Sequence, residues 1–152
     1  MKKALLSLAC VLVAYALIHA ASEKEVDQTV LIKGDDMMKF DQTAFEVKAG
    51  SKVKITLKNV GKLPKIAMGH NLVLLKSGVS ATAFGSKVLA AGGSPANPLP
   101  DAVKGEALGF TKLLGPGESD GFVITAPPPG VYEYVCTFPG HFALMRGVMT
   151  SK

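Results

Sequence analysis

From Glu23 onward apolar and polar residues alternate with a period of two, the spacing of a half-buried strand with one wet face. The clearest case is 52–58, where Val53, Ile55 and Leu57 point one way and Lys52, Lys54, Thr56 and Lys58 the other. Before it, Val30 and Ile32 alternate with Leu31 and Lys33 until Gly34-Asp35-Asp36 breaks the run, and Phe45 and Val47 lead to a second break at Ala49-Gly50-Ser51. Residues 71–75 are almost continuously apolar, as expected of a strand buried on both faces. Further strands are predicted at 109–114, 121–126, 131–136 and 147–150, with Gly115-Pro116-Gly117 a turn and Pro127-Pro128-Pro129-Gly130 a rigid break. In the third of these, Tyr132, Tyr134 and Cys136 share a face. Breaks roughly every 8–12 residues point to an all-β sandwich or barrel.

One segment departs from this period. Ala81, Phe84 and Val88 recur at helical spacing and predict a short helix over 81–91, capped by Ser80 and stopped by Gly92-Gly93. Residues 92–100, rich in Gly, Pro, Ser and Asn, follow as an irregular excursion. No internal repeat or second domain is visible.

The first 22 residues have a different character. Met1-Lys2-Lys3 is a basic start, the stretch from Ala4 to Ala20 is apolar, and Ala20-Ala21-Ser22 supplies small residues for cleavage. The pattern reads as a secretory signal peptide over 1–22, leaving one domain over 23–152 in the periplasm or outside the cell. An uncleaved membrane anchor is the alternative, disfavoured because the apolar run falls short of the ~20 residues of a span. Lipidation at Cys10 is disfavoured because the apolar run continues past it. His19 lies in the same leader.

The formal net charge is +5, and losing Lys2 and Lys3 with the leader leaves +3, carried by dispersed single lysines. No basic block exists and the three Tyr and seven Phe do not interleave with basic runs, so a nucleic-acid surface is excluded. Asp35, Asp36 and Lys52 to Lys58 read as solvated surface. Cys10 and Cys136 are the only cysteines, so the chain without its leader has one thiol and no internal disulfide. A free thiol outside the cytoplasm would oxidise, and metal ligation would protect it.

Cys136-Thr137-Phe138-Pro139-Gly140-His141-Phe142-Ala143-Leu144-Met145 sets a thiol, an imidazole and a thioether within one hairpin-like connection. Beyond the leader the one other histidine is His70, in Met68-Gly69-His70-Asn71. His70, Cys136, His141 and Met145 together offer two nitrogens, a thiolate and a weak soft ligand, a set that fits a single copper ion of type 1 in both oxidation states. Donors drawn from two remote parts of a rigid scaffold would fix the geometry in advance. The side chain of Asn71 and the backbone N–H groups just after Cys136 are the expected donors to the sulfur. A structural zinc site is disfavoured by a thioether as fourth ligand. With both histidines used as ligands no Ser/His/Asp set remains and no open position is left for substrate, so an enzyme is not expected. A copper storage or delivery protein is the alternative to an electron carrier.

At these residues the chain resembles the cupredoxins, most of all the azurin branch, with the auracyanins a close second. The ligand loop Cys136 to Met145, the segment Leu63-Pro64-Lys65 with Met68-Gly69-His70-Asn71, and the shorter matches Met38-Lys39-Phe40 and Thr111-Lys112-Leu113 carry the resemblance. It implies an eight-stranded Greek-key β-sandwich with a helical flap near 79–106, and a soluble monomer that passes single electrons. It implies that His70, Cys136 and His141 hold the copper, with Met145 and the Gly69 carbonyl as distant axial groups. Asn71 and the Phe138 N–H would hydrogen-bond the Cys136 sulfur, and Thr137 would tie to Asn71. Redox partners such as c-type cytochromes or copper reductases would dock on an apolar patch of Leu63, Met68, Pro139, Gly140 and Ala143. Three positions depart from that family: the usual N-terminal disulfide has no cysteines here, Leu72 stands where a buried Trp is common, and Asn59 stands where a titrating His is common.

Overall fold

The computed structural model describes residues 25–152. The leader, with Cys10 and His19, lies outside the described residues. The strands are β1 (Gln28–Asp35), β2 (Lys39–Phe40), β3 (Ala44–Val47), β4 (Lys52–Asn59), β5 (Val73–Leu75), β6 (Ala107–Phe110), β7 (Ser119–Thr125), β8 (Gly130–Val135) and β9 (Arg146–Ser151). They form a four-stranded sheet in the order β2-β1-β4-β7 and a five-stranded sheet in the order β3-β9-β8-β5-β6. β1 runs parallel to β4 and β3 parallel to β9, and the remaining pairs are antiparallel. β2 and β3 are two halves of one strand that changes sheets: Phe40 pairs with Gly34 in the first sheet and Ala44 with Val148 in the second. Counted this way, the segments make the eight strands of the expected sandwich.

The alternation seen in the sequence becomes the core. Val53, Ile55 and Leu57 are fully buried between the sheets with Val30, Ile32, Tyr132, Tyr134 and Cys136. The continuous apolar run near β5 is explained by two cores. Leu72 and Leu74 enter the inter-sheet core, while Val73 and Leu75 face outward and are covered by Ala81, Phe84 and Val88 of the helix Ala81–Ala90. Leu72 fills its site without the ring of a Trp.

Two local expectations are corrected. Ser80 sits at the N-cap of that helix but its side chain makes no capping bond. The Ala81 N–H donates instead to Glu133 Oε2 of β8 at 2.8 Å, because β8 runs beneath the helix start and a carboxylate there meets the positive end of the helix. The strand expected at 109–114 ends at Phe110. Thr111 leaves the ladder to exchange hydrogen bonds with the Leu72 backbone, its hydroxyl accepting and its N–H donating, both at 3.0 Å. Leu114 then pairs with His70. The excursion after the helix includes a further helical turn, Asp101–Lys104.

Candidate metal centre

Cys136 follows the last residue of β8, and its N–H donates to the Met145 carbonyl at 2.9 Å, which closes the ligand loop at its base. Inside the loop Gly140 has φ +85°, a left-handed value that suits glycine. It turns the chain so that the His141 N–H reaches the Phe138 carbonyl at 3.0 Å and the single 3₁₀ turn His141–Ala143 begins. The Met145 N–H donates to the His141 carbonyl at 2.8 Å. His70 arrives from the other side, held by two backbone bonds to Leu114, N–H to carbonyl at 3.0 Å and carbonyl to N–H at 2.7 Å.

These constraints bring three donor atoms together. The ligating atoms of His70, Cys136 and His141 all lie within 4.8 Å of one another, and all three residues are buried. The Cys136 Sγ and His141 Nδ1 are 3.7 Å apart. Both ring nitrogens of His70 are buried; the Asp35 backbone is close enough to one of them to favour a proton there, and the other has no protein partner. A buried imidazole nitrogen with no partner is costly, and a metal ion shared with the thiolate and the second imidazole would satisfy it. Met145 is fully buried. Its methyl group and the His70 ring press on β1 at Gly34, where an added Cβ would lie 2.7 Å from Met145 Cε and 3.2 Å from His70 Cδ2. Gly69 is buried beside His70.

The electrostatics suit a cation. Burial pushes the Cys136 thiol up to about 11, against the backbone N–H groups of Asn71 and Phe138, which hydrogen-bond the sulfur and favour the thiolate. Burial lowers His141 to about 4, with the His70 charge adding to the effect. Burial likewise lowers His70, against the Asp35 backbone and the Asp36 and Asp35 carboxylates. Both imidazoles are therefore neutral and free to coordinate at neutral pH, and a metal ion must displace one thiol proton.

The residue reading expected the Asn71 side chain to donate to the sulfur, but the structure bonds it to Thr137. Its Oδ1 accepts the Thr137 N–H at 2.8 Å and its Nδ2 donates to Thr137 Oγ1 at 2.7 Å. The Asn71 backbone N–H serves the sulfur instead, because the side chain is spent on clasping the strand entry to the ligand loop. Thr137 Oγ1 in turn donates to the Pro98 carbonyl of the flap at 2.6 Å. Asn59 is fully buried and does not titrate; its Nδ2 donates at 3.1 Å to the same Leu114 carbonyl that holds the His70 N–H.

A model of copper binding proteins of the plastocyanin/azurin family matches residues 26–152. The chain belongs to this copper-binding family. Within it, the chain is 39% identical over 133 residues to an azurin of Bordetella pertussis, covering 85% of this chain and 84% of that protein. It is 35% identical over 150 residues to an azurin of Achromobacter denitrificans, covering 94% of each. Among solved structures it is similar to a dithionite-reduced auracyanin of Roseiflexus castenholzii, with a TM-score of 0.71 at 32% identity, covering 84% of this chain and 99% of that one. This is a cupredoxin most like azurin, and copper is its cofactor.

Two contacts between the flap and this cupredoxin's ligand loop had no signal in the sequence. Gly85 of the helix lies directly against Phe142, two residues into the 3₁₀ turn. Arg146 Nη1 donates to Thr82 Oγ1 at 3.0 Å. With Glu133–Ala81 and Thr137–Pro98, the flap is tied to the hairpin at four points. Of the expected apolar patch, Leu63, Gly140 and Ala143 are exposed while Met68 and Pro139 are half-buried. Ile66 at 70% and Leu144 at 64% are more exposed than Leu63 at 45%, and sequence reasoning missed both. Ile66 lies on the one-turn helix Lys65–Met68, which buries no residue, and a turn that short has no periodicity to reveal its exposed side.

Proposed function

We propose that this chain carries single electrons between redox proteins, after export to the periplasm and loss of residues 1–22, and has no enzymatic activity. When bound, the copper ion supplies a one-electron couple. His70, Cys136 and His141 would hold it, with Met145 and the Gly69 carbonyl as weak axial groups. The observation that carries this reading is the cluster of three buried donor atoms within 4.8 Å, bound into one scaffold by backbone hydrogen bonds. Residues fixed in this way rearrange little when the charge of the site changes, which is what rapid electron exchange needs. The protein supplies every donor, and the burial of all three leaves no face open to a substrate. Leu63, Met68, Pro139, Gly140 and Ala143, extended by Ile66 and Leu144, offer apolar surface around the loop for partners such as c-type cytochromes or copper reductases. No helix among the described residues is long and apolar enough to cross a membrane.

The copper-loaded chain should absorb strongly in the visible, lose that band on reduction, and exchange electrons far faster than it releases metal. Cys136→Ser should abolish the band while the sandwich stays folded by circular dichroism. A colourless oxidised protein, or a band retained by Cys136→Ser, would refute the assignment; metal release faster than electron exchange would favour copper delivery.

A further inference from the structure

The outer face of the five-stranded sheet is covered by the helix Ala81–Ala90, but the outer face of the four-stranded sheet carries no element among the described residues. Its outward positions are fixed by register. Thr29 pairs with Lys54 and Lys54 with Val123; Leu31 with Thr56 and Thr56 with Gly121; Lys33 with Lys58 and Lys58 with Ser119. Lys39 of β2 is exposed beside them. Leu31 at 44% and Val123 at 53% exposure form a small apolar centre, and the lysines rim it. Lys33, Lys39, Lys54 and Lys58 make no ion pair among the described residues. Two carboxylates stand at the edge of this face, Asp35 opposite Lys39 and Asp41 beside Lys33, and both are bonded to backbone. Asp35 Oδ1 accepts the Met37 and Lys39 N–H groups, and Asp41 Oδ1 accepts the Lys33 N–H.

Lys33 and Lys58 stand directly opposite one another. Like charges in register cost stability, and neither lysine makes an ion pair among the described residues. The pair also has a special position. The next residue along each strand is Gly34 or Asn59, themselves paired. Gly34 is the residue against which Met145 and the His70 ring press, and Asn59 shares the Leu114 carbonyl with His70. The lysine pair thus lies one residue from backbone in contact with the metal site.

We propose that this sheet face is a second docking surface, one that takes the acidic face of a redox protein and passes electrons through β1 at Gly34. The proposal rests on the electron-carrier reading above. Charge complementarity selects the partner: unpaired lysines around an apolar centre suit a carboxylate-rich protein surface. Leu31 and Val123 lie within strands, so no apolar side chain projects on a loop to enter a bilayer.

The test uses the reduced, copper-loaded full chain and two probes, hexacyanoferrate(III) as an anionic oxidant and tris(phenanthroline)cobalt(III) as a cationic one. Lys33→Glu with Lys58→Glu should slow oxidation by hexacyanoferrate(III) about tenfold at low ionic strength, with the gap closing as salt is added. The visible spectrum should stay unchanged, and rates are compared at equal driving force, because a change of four charge units so near the site lowers the potential. Lys48→Glu with Lys76→Glu makes the same change in net charge away from this face and should slow it much less. Hexaglutamate peptide should shift the amide resonances of 31–34 and 56–59 in the parent chain and not in Lys33→Glu/Lys58→Glu. Equal slowing by both double variants, or peptide shifts elsewhere, would overturn the docking surface. Binding to phosphatidylglycerol vesicles without any peptide response would overturn it in favour of a membrane. A parent chain that exchanges electrons with neither probe would instead sink the electron-carrier reading.

Discussion

Gly85→Ala tests whether the helix grips the ligand loop, because two physical effects give it opposite signs. Gly85 sits inside the helix Ala81–Ala90 and its φ is not positive, so backbone geometry alone does not demand glycine there. On propensity alone, alanine would stabilise the helix by about 1 kcal/mol. Packing argues the other way. A Cβ at residue 85 would lie 2.2 Å from Phe142 Cγ and 2.5 Å from Phe142 Cβ. Those atoms are the root of the ring, so rotating the side chain does not clear the clash and the 3₁₀ turn must shift. Overpacking of this kind costs about 1–3 kcal/mol. The net expectation is a loss of roughly 0–2 kcal/mol. The displaced turn carries His141 and leads into Met145, so the visible band and the potential should move as well. In a Phe142→Gly background, which removes the ring and the Cβ alike, the clash is gone, and Gly85→Ala should become stabilising by about 1 kcal/mol. The assay is a double-mutant cycle by urea unfolding of the metal-free protein, with the visible spectrum of each copper-loaded variant. Stabilisation in the parent background, or the same effect in both backgrounds, would refute the grip.

The metal-free protein should lose stability in mild acid. His141 is held down to about 4 by burial and then by the His70 charge, whereas an unfolded imidazole titrates near 6.5. Between these values the unfolded chain binds more protons, so stability falls as pH drops through the window, by roughly 3 kcal/mol below it. Urea midpoints at pH 7.5, 5.5 and 4 would measure this, and a flat profile would contradict a buried neutral imidazole. Asn71→Ala should cost about 2–4 kcal/mol, since it removes two hydrogen bonds and strands the buried Thr137 N–H. A loss under about 0.5 kcal/mol in denaturant unfolding would mean that the clasp contributes nothing.

What the sequence determined by itself was local. A period of two over 52–58 can be satisfied only by a half-buried strand, and a thiol, two imidazoles and a thioether define a coordination chemistry whatever the fold around them. Even the loop from Cys136 to Met145 is local, because its length and its Pro-Gly bend limit how the chain can return. The tertiary structure decided everything that joins residues far apart in the chain. Periodicity indicates that residues 71–75 are buried on both faces, but not that a helix covers one of them. A serine before a helix signals a cap, yet a carboxylate from 52 residues away reached the same N–H first. The presence of Asn71 beside His70 suggested a donor to the sulfur, but only packing showed which of its N–H groups was free to be one. The height of the Cys136 pKa, the unpartnered nitrogen of the His70 ring and the contact between Gly85 and Phe142 depend on desolvation and close approach. Those are properties of the assembled interior, where a group's energy is set by neighbours that the order of residues does not name.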